Sequence, residues 1–216
     1  MPLELTDLDL GALIHQITDS LAEIAATRQI TIQLELDKGL GLVRADEERI
    51  TQVVDNLIGN AVKYNRDGGT VWVKAHGEGD VVQMTVRDSG IGIPVEDIPQ
   101  VFDRFFRSRL GVENGIEGNG LGLTIVHAII REHHGEIWVE SEEGQGTTFT
   151  FTLPRRMQFS EGSDAQGEAP YKAGEGRAEG TMFHAERSSE ASDSVDDDLQ
   201  ESREGSEDDD SRGDDV

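Results

Sequence analysis

DEERITQVVDNLIGNAVKYN, residues 46–65, has the pattern of an amphipathic helix with chemically distinctive side chains along one edge. Asp46 is a residue type that caps helix N-termini, and the apolar side chains after it recur every three or four positions. At about 100° per residue, Asn56, Asn60 and Lys63 fall on a narrow arc beside this apolar stripe. An amide oxygen suits Mg²⁺ and a neighbouring ammonium suits phosphate, but the same residues could simply border a solvated helix face.

A strand that ends in an aspartate follows this helix along the chain. In VVQMTVRD (81–88), Val82, Met84 and Val86 share the parity of Asp88, so the carboxylate is predicted to face the packed side of the sheet. A carboxylate there is costly unless a group donates to it, and an exocyclic amine such as that of adenine would do so. The glycines of DSGIGIP (88–94) allow close backbone approach to a flat base. The alternative is an ordinary turn or capping aspartate.

Two glycine-rich segments complete the pattern. GNGLGL (118–123) opens an apolar helix over 120–134, where free N–H groups and the helix dipole favour phosphate. It lacks the preceding strand of a dinucleotide-binding unit and the Lys-Ser/Thr of a P-loop, so both of those sites are excluded. GQGTT (144–148) places Thr147 on the parity of Phe149, although a plain hairpin turn explains that segment equally well.

The remaining periodicity predicts a mixed helix and strand order. This order favours an α/β fold with helices packed on one face of a mixed sheet. The predicted elements are a helix over 9–28 capped by Asp9, strands over 30–36 and 42–44, a hairpin of 70–76 with 81–88, a short helix over 97–106, a mobile loop over 107–120, and a closing hairpin that turns through 143–146.

Charge divides the 216 residues into two unlike regions. The formal net charge is −25, and 25 of the 44 acidic and 14 of the 19 basic residues lie in 1–156. The last 60 residues contain only five of Leu, Ile, Val and Phe, so residues 157–216 are predicted to be a disordered acidic tail. This tail either solubilises the protein, the interpretation that its composition favours, or contacts a basic partner surface, or repels the domain from acidic surfaces.

Composition also excludes several classes of function. The absence of cysteine excludes disulfide scaffolds, thiolate zinc sites and thiol catalysis. No apolar run approaches the ~20 residues of a transmembrane helix, and the acidic start is unlike a signal peptide, so a cytoplasmic location is expected. The strong acidity argues against nucleic acid as a partner.

Five motifs together resemble the catalytic ATP-binding domain of two-component sensor histidine kinases. They match that family's N, G1, F, G2 and G3 boxes in order and spacing, and they are DNLIGNAVKYN (55–65), DSGIGIP (88–94), VFDRFFR (101–107), GNGLGL (118–123) and GQGTTFTFTLP (144–154). The resemblance implies the Bergerat fold, a two-layer α/β sandwich shared more distantly with gyrase, Hsp90 and MutL. It also implies ATP and Mg²⁺ as cofactors, a catalytic domain over 29–156 and a lead-in helix over 1–28.

The resemblance further implies a role for each matching residue. Asn60 resembles the Mg²⁺ ligand with Asn56 as its companion, and Lys63 and Arg107 would act with Asn60 on the triphosphate. Asp88 would bind the adenine amine, with Thr147 assisting through a water. The other implied nucleotide contacts are Tyr64, Gly90, Ile91, Gly92 and Ile93 around the base, and Gly118, Asn119, Gly120, Leu121, Gly122 and Leu123 in a lid.

The acceptor histidine of the family has no counterpart here. His15 is the only histidine upstream of residue 46, and no acid or proline follows it as the family motif requires. The acceptor is therefore expected on a separate or missing dimerisation domain, with a response regulator as an indirect partner and this chain as a monomer. His133 and His134 lie near a helix end, where cationic character is favoured, and as helix neighbours they do not suit a metal site. His76 and His184 have no identifiable partner.

Two other functions remain open at this point. One is a regulatory module that binds ATP without transferring phosphate. The other is a serine kinase of the anti-sigma-factor type, which VFDRFFR, the long helix after GNGLGL and the N-terminal helix disfavour.

Overall fold

The computed structural model describes residues 2–155, and the predicted acidic tail over 157–216 lies outside the described residues. The strands are β1 (Leu5–Leu8), β2 (Thr31–Leu36), β3 (Val43–Asp46), β4 (Thr70–Glu78), β5 (Val81–Asp88), β6 (Ile137–Glu142) and β7 (Gly146–Pro154). The helices are α1 (Leu10–Thr27), α2 (Glu47–Lys63), α3 (Arg109–Glu113) and α4 (Gly122–Glu132). None of these helices is long and apolar enough to cross a membrane.

The main sheet is mixed and has five strands in the order β2-β4-β5-β7-β6. β2 and β4 are parallel, and the other neighbouring pairs are antiparallel. Met84 at the centre of β5 lies opposite Ala75 and Phe151, and all three side chains are buried in the core under α1, α2 and α4. The predicted α/β fold with a mixed sheet and helices on one face is confirmed.

Side-chain caps begin the two long helices where the sequence places them. The Ala12 N–H donates to Asp9 Oδ1 at 3.0 Å at the start of α1, and the Arg49 N–H donates to Asp46 Oδ1 at 3.2 Å at the start of α2. Caps of this kind each contribute about 1 kcal/mol. The second cap sets the rotation of α2, and with it the edge that carries Asn56 and Asn60.

The region between β5 and α4 differs from the prediction. The helix expected over 97–106 is wrong, because only the 3₁₀ turn Ile98–Gln100 forms there. Pro99 lies in the first turn, where a missing N–H is tolerated, so the break comes from Phe105, whose left-handed φ of 65° ends any helical run. The following segment, expected to be a loop, contains the short helix α3.

Two further differences concern β1 and the end of α4. β1 was not predicted; it pairs antiparallel with β3 in a separate two-stranded sheet, and three of its four residues are exposed, so it has no apolar alternation. The helix predicted over 120–134 is shorter in the structure, where α4 ends at Glu132 and the chain leaves it through His134, whose φ is 60°. Gly135 then packs closely against the sheet, since a Cβ at that position would lie 2.0 Å from the Thr152 carbonyl oxygen.

Candidate functional site

A cleft of about 240 Å³ lies among α2, the loop after β5, the segment 107–120 and the beginning of β7. Every site residue predicted from the sequence lines this cleft except Gly90 and Leu121, which are each next in the chain to residues that do. The lining residues among those predicted are Asn56, Asn60, Lys63, Tyr64, Asp88, Ile91, Gly92, Ile93, Arg107, Gly118, Asn119, Gly120, Gly122, Leu123 and Thr147.

The polar edge of α2 forms one side of the cleft. The Asn60 side-chain amide donates to Asn56 Oδ1 at 3.0 Å, one helical turn apart. This bond uses an N–H of Asn60 and leaves the amide oxygen of Asn60 available as an acceptor. The interpretation of a solvated helix border is therefore disfavoured, because these amides are half-buried and oriented toward one cavity.

Asp88 lies at the closed end of the cleft and is 6% exposed. Its Oδ1 accepts the backbone N–H groups of Gly90 at 2.8 Å and Thr147 at 3.3 Å. Burial raises the pKa of the Asp88 carboxyl to about 6, although these two hydrogen bonds and the nearby Arg87 act in the opposite direction. Two protein donors hold one oxygen, and no described donor reaches the other.

The loop after Asp88 is packed tightly against protein backbone on both sides. A Cβ at Gly90 would lie 2.2 Å from the Tyr64 carbonyl oxygen, which also accepts the Ile91 N–H at 3.1 Å. Gly92 has a φ of 71°, and a Cβ there would lie 2.0 Å from the Glu142 carbonyl oxygen. Because glycine has no Cβ, these two residues allow the loop to pack between the end of α2 and the closing hairpin.

The two cationic side chains of the cleft, those of Lys63 and Arg107, bond to backbone carbonyls of the segment 107–120. This segment, which begins with Arg107 itself, is hereafter called the lid. Lys63 Nζ donates to the Glu117 carbonyl oxygen, and Arg107 Nη2 donates to the Ile116 carbonyl oxygen at 2.5 Å. The centre of the Tyr64 ring lies 5.5 Å from Lys63 Nζ. Burial raises the pKa of the Tyr64 hydroxyl, and the charge of Arg107 partly offsets this effect.

The lid ends on the N-terminus of α4, which faces the polar edge of α2. No side chain caps this helix, and the Leu121 N–H instead donates to Asn119 Oδ1 at 3.1 Å. A Cβ at Gly122 would lie 2.4 Å from Asn56 Nδ2, so the start of α4 lies directly against the Asn56 amide, and a larger residue there would displace that side chain. Gly120, with a φ of 67°, packs in the same way against the backbone of Phe105 and Phe106.

Residues 45–157, just over half of the chain, match the family described as histidine kinase-, DNA gyrase B- and HSP90-like ATPase. The chain belongs to this family. It is 44% identical over 118 residues to the sensor histidine kinase WalK of Bacillus subtilis, covering 54% of this chain and 19% of WalK. It is 42% identical over 149 residues to the adaptive-response sensory kinase SasA of Rippkaea orientalis, covering 68% of this chain and 38% of that protein.

A solved catalytic domain has the same architecture. The catalytic domain of histidine kinase ThkA superposes with a TM-score of 0.63 at 32% identity, covering 71% of this chain and 97% of that domain. ThkA in complex with the response regulator protein TrrA matches at 30% identity and a TM-score of 0.59, covering 70% of this chain and 42% of that one. The chain thus corresponds to the ATP-binding catalytic part of its relatives and spans less than two fifths of the length of WalK and SasA.

Several residues of this ATPase cleft were not predicted from the sequence. Five of them belong to a motif or share a strand parity that could have identified them. Val101 and Phe106 belong to VFDRFFR, Ala61 belongs to DNLIGNAVKYN, and Val86 and Phe149 have the parity of Asp88 and Thr147. The other two unpredicted lining residues are Ser108 and Gly111.

Ser141 supports the ATPase cleft without lining it. Its hydroxyl accepts the Ile93 N–H at 2.8 Å, donates to the Gly146 carbonyl oxygen at 2.9 Å and lies 2.9 Å from Thr147 Oγ1. Ser141 thereby joins the loop after Asp88 to the closing hairpin. No local pattern marks it, because Ile93 is 48 positions away in the chain.

The described histidines do not line the ATPase cleft. His15 is exposed on α1. His133 is buried; its Nε2 accepts the Asp46 N–H at 3.0 Å and its Nδ1 lies 2.8 Å from the Ile129 carbonyl oxygen. These hydrogen bonds, rather than an interaction between a cationic imidazole and the helix dipole, explain why His133 lies at the end of α4. Within residues 2–155 no group of His, Asp and Glu side chains is arranged to hold a metal ion.

Proposed function

We propose that this chain is the ATP- and Mg²⁺-dependent catalytic domain of a protein-histidine kinase, with residues 29–156 as the domain and 1–28 as its lead-in. The observation that carries the proposal is the polarity of the cleft. One end holds a single buried carboxylate, and the other end combines two cations, two amides and an uncapped helix N-terminus. A purine base and a triphosphate are complementary to these two ends.

The base end suits adenine. The Asp88 oxygen that no described residue engages would accept the exocyclic amine, while its other oxygen stays bonded to Gly90 and Thr147. Ile91, Ile93 and Phe149 supply apolar surface for the flat base. Guanine would present a carbonyl oxygen instead of an amine to Asp88, and two acceptors facing each other repel.

The phosphate end suits a Mg²⁺-bound triphosphate. Lys63 and Arg107 would neutralise the phosphate oxygens, and the backbone N–H groups at the start of α4 would donate to them. The Asn60 oxygen is a hard neutral donor of the kind that Mg²⁺ accepts beside phosphates and water. When bound, the metal would supply charge neutralisation, and the chain's own role would be to orient the triphosphate.

The cleft favours transfer to an imidazole over hydrolysis by water. Its only carboxylate among the described residues is Asp88, at the base end, so the phosphate end lacks a general base for water. A neutral imidazole nitrogen attacks with its lone pair and needs no deprotonation. The N–P bond forms as the bond between the γ-phosphorus and the bridging oxygen breaks, and ADP leaves with that electron pair.

The acceptor and the downstream partner belong to the same proposal. Because no described histidine lines the cleft, the acceptor imidazole is proposed to reside on a dimerisation domain, in the same protein or in another. A response regulator, as in the complex of ThkA with TrrA, is the proposed recipient of that phosphate.

A phosphorylation assay tests the proposal directly. The purified chain would be incubated with radiolabelled ATP and Mg²⁺, with and without an acceptor hairpin from a related kinase. Acid-labile, base-stable label on the hairpin alone is the expected result. Label on this chain would instead implicate His15 or another internal histidine. Nucleotide binding without any label would favour the regulatory module, for which the lid contacts of Lys63 and Arg107 supply a reason.

A further inference from the structure

Arg28 binds the end of α2 from behind the cleft. It is the residue that follows α1, and its Nη1 donates to the carbonyl oxygens of Val62 at 2.7 Å and Lys63 at 3.1 Å. Its Nη2 donates to the Asn65 carbonyl oxygen at 2.6 Å, and its Nε pairs with Asp67 at 2.9 Å. One guanidinium therefore engages three backbone carbonyls in four consecutive residues.

The location of these carbonyls gives the contact a function. The last turn of a helix leaves carbonyl groups without intrahelical partners and carries partial negative charge, so a cation with several donors satisfies both. The peptide units that Arg28 holds flank Lys63 and Tyr64, which line the cleft. The Tyr64 carbonyl oxygen then accepts the Ile91 N–H at 3.1 Å, which connects this turn to the base end.

We propose that Arg28 is a positioning residue for the nucleotide, which sets Lys63 at the phosphate end and Ile91 at the base end without touching the ligand. Arg28 lies outside the region 45–157 that matches the family, so the lead-in helix α1 contributes to the ATPase site. A displacement of the end of α1 is thereby transmitted to both ends of the cleft. This inference rests on the proposed nucleotide-binding function.

The chain offers closely matched controls. Arg49 lies at the other end of α2, pairs with Glu132 at 2.9 Å, and is 30% exposed in its side chain, compared with 33% for Arg28. Neither its guanidinium nor its partners line the cleft. Asp67 is the exposed ion-pair partner of Arg28, so Asp67→Ala removes the pair and keeps the three carbonyl contacts.

The experiment measures ATP and ADP affinity, KM and kcat for Arg28→Ala, Arg28→Lys, Arg49→Ala and Asp67→Ala. We expect Arg28→Ala to weaken the binding of ATP and of ADP about tenfold, since the loss of one or two ordinary hydrogen bonds changes a dissociation constant by a factor of this order. The loss should appear in KM more than in kcat. Arg28→Lys should recover part of it, because an ammonium keeps the charge but not the planar arrangement of donors.

Hydrogen exchange at the Ile91 amide, measured without nucleotide, is the second readout. Exchange should accelerate in Arg28→Ala and remain unchanged in Arg49→Ala and Asp67→Ala. If Arg28→Ala does not fold, the same two measurements on Arg28→Lys decide the matter. Equal nucleotide affinities in the Arg28 and Arg49 variants, or an unchanged Ile91 amide, would overturn the proposal. A wild-type protein that binds no nucleotide would overturn the proposed function, whatever the exchange shows.

Discussion

The two ends of the cleft are built in opposite ways. At the base end, Asp88 is held by two backbone N–H groups, and Gly90 and Gly92 pack against backbone on both sides. At the phosphate end, Lys63 and Arg107 are bonded to lid carbonyls, and Glu117 and Gly118 are exposed. The base end is therefore preformed, whereas the phosphate end must exchange lid carbonyls for phosphate oxygens.

This difference assigns separate tasks to the two ends. A preformed pocket loses little conformational entropy on binding, so the base end should supply specificity and much of the affinity. Most of the lid between Val112 and Asn119 is exposed, and exposed segments beside a cleft are of the kind that opens and closes around a ligand. Changes at the base end should therefore alter binding of ATP and ADP equally, and changes at the phosphate end should alter transfer.

Removal of the Asn60 amide should have the largest effect. In Asn60→Ala the oxygen proposed to face Mg²⁺ is lost together with the bond to Asn56, so transfer should fall by about a hundredfold or more. Adenosine affinity should be unchanged, because the base end is intact. The test is the rate of label transfer as Mg²⁺ is titrated. Wild-type transfer in a folded Asn60→Ala protein would remove Asn60 from this role.

Asp88→Asn, at the base end of the cleft, should weaken nucleotide binding. The substitution replaces a charged acceptor with an amide, so ATP, ADP and adenosine should each bind more weakly by roughly 1.5–3 kcal/mol. Calorimetry with all three ligands measures this loss. A loss confined to ATP would contradict the assignment of Asp88 to the base.

Nucleotide affinity should depend on pH through the same carboxyl. The pKa of Asp88 is raised to about 6, so the protonated carboxyl predominates below this value, and it accepts from the adenine amine much more weakly than the charged carboxylate does. Affinity should rise about tenfold between pH 5 and pH 7. Without nucleotide, the free energy of unfolding should change with pH in the opposite direction to the affinity. The raised pKa of Asp88 in the folded state favours the folded protein at low pH, and this contribution to stability is lost as pH rises from about 4 to about 6. Asp88→Asn should abolish both trends.

A pair of glycine substitutions tests the lid with a smaller effect. Gly120 and Gly115 both have positive φ, but a Cβ at Gly120 would lie 2.5 Å from the Phe105 carbonyl carbon, whereas a Cβ at Gly115 meets nothing within 4 Å. Both alanine variants should lose about 1 kcal/mol of stability to backbone strain, and Gly120→Ala should lose more. Only Gly120→Ala should also slow transfer. Equal transfer rates in the two variants would show that lid packing is not coupled to the reaction.

The sequence predicted the base end better than the lid. Strand parity placed Asp88 inward, and the motifs that resemble the family named most of the residues that line the cleft, but missed much of its apolar wall. Both signals are local, since a side chain's direction follows from the period of its own helix or strand. The helix expected over 97–106 failed because the left-handed conformation of Phe105 goes with its packing against Gly120, 15 positions away.

The sequence by itself determined α1, α2, α4, the five strands of the main sheet, the caps at Asp9 and Asp46, and the chemical groups that a nucleotide requires. It determined neither β1 nor α3. Only the tertiary structure decided which of those chemical groups are hydrogen-bonded to other parts of the protein before any nucleotide binds. Ser141 reaches Ile93, Arg28 reaches the end of α2, and Lys63 reaches the lid across 48, 34 and 54 positions. The physical reason is that backbone carbonyls and N–H groups are chemically alike at every residue. Which of them a side chain meets is set by the packing of whole elements, not by local pattern.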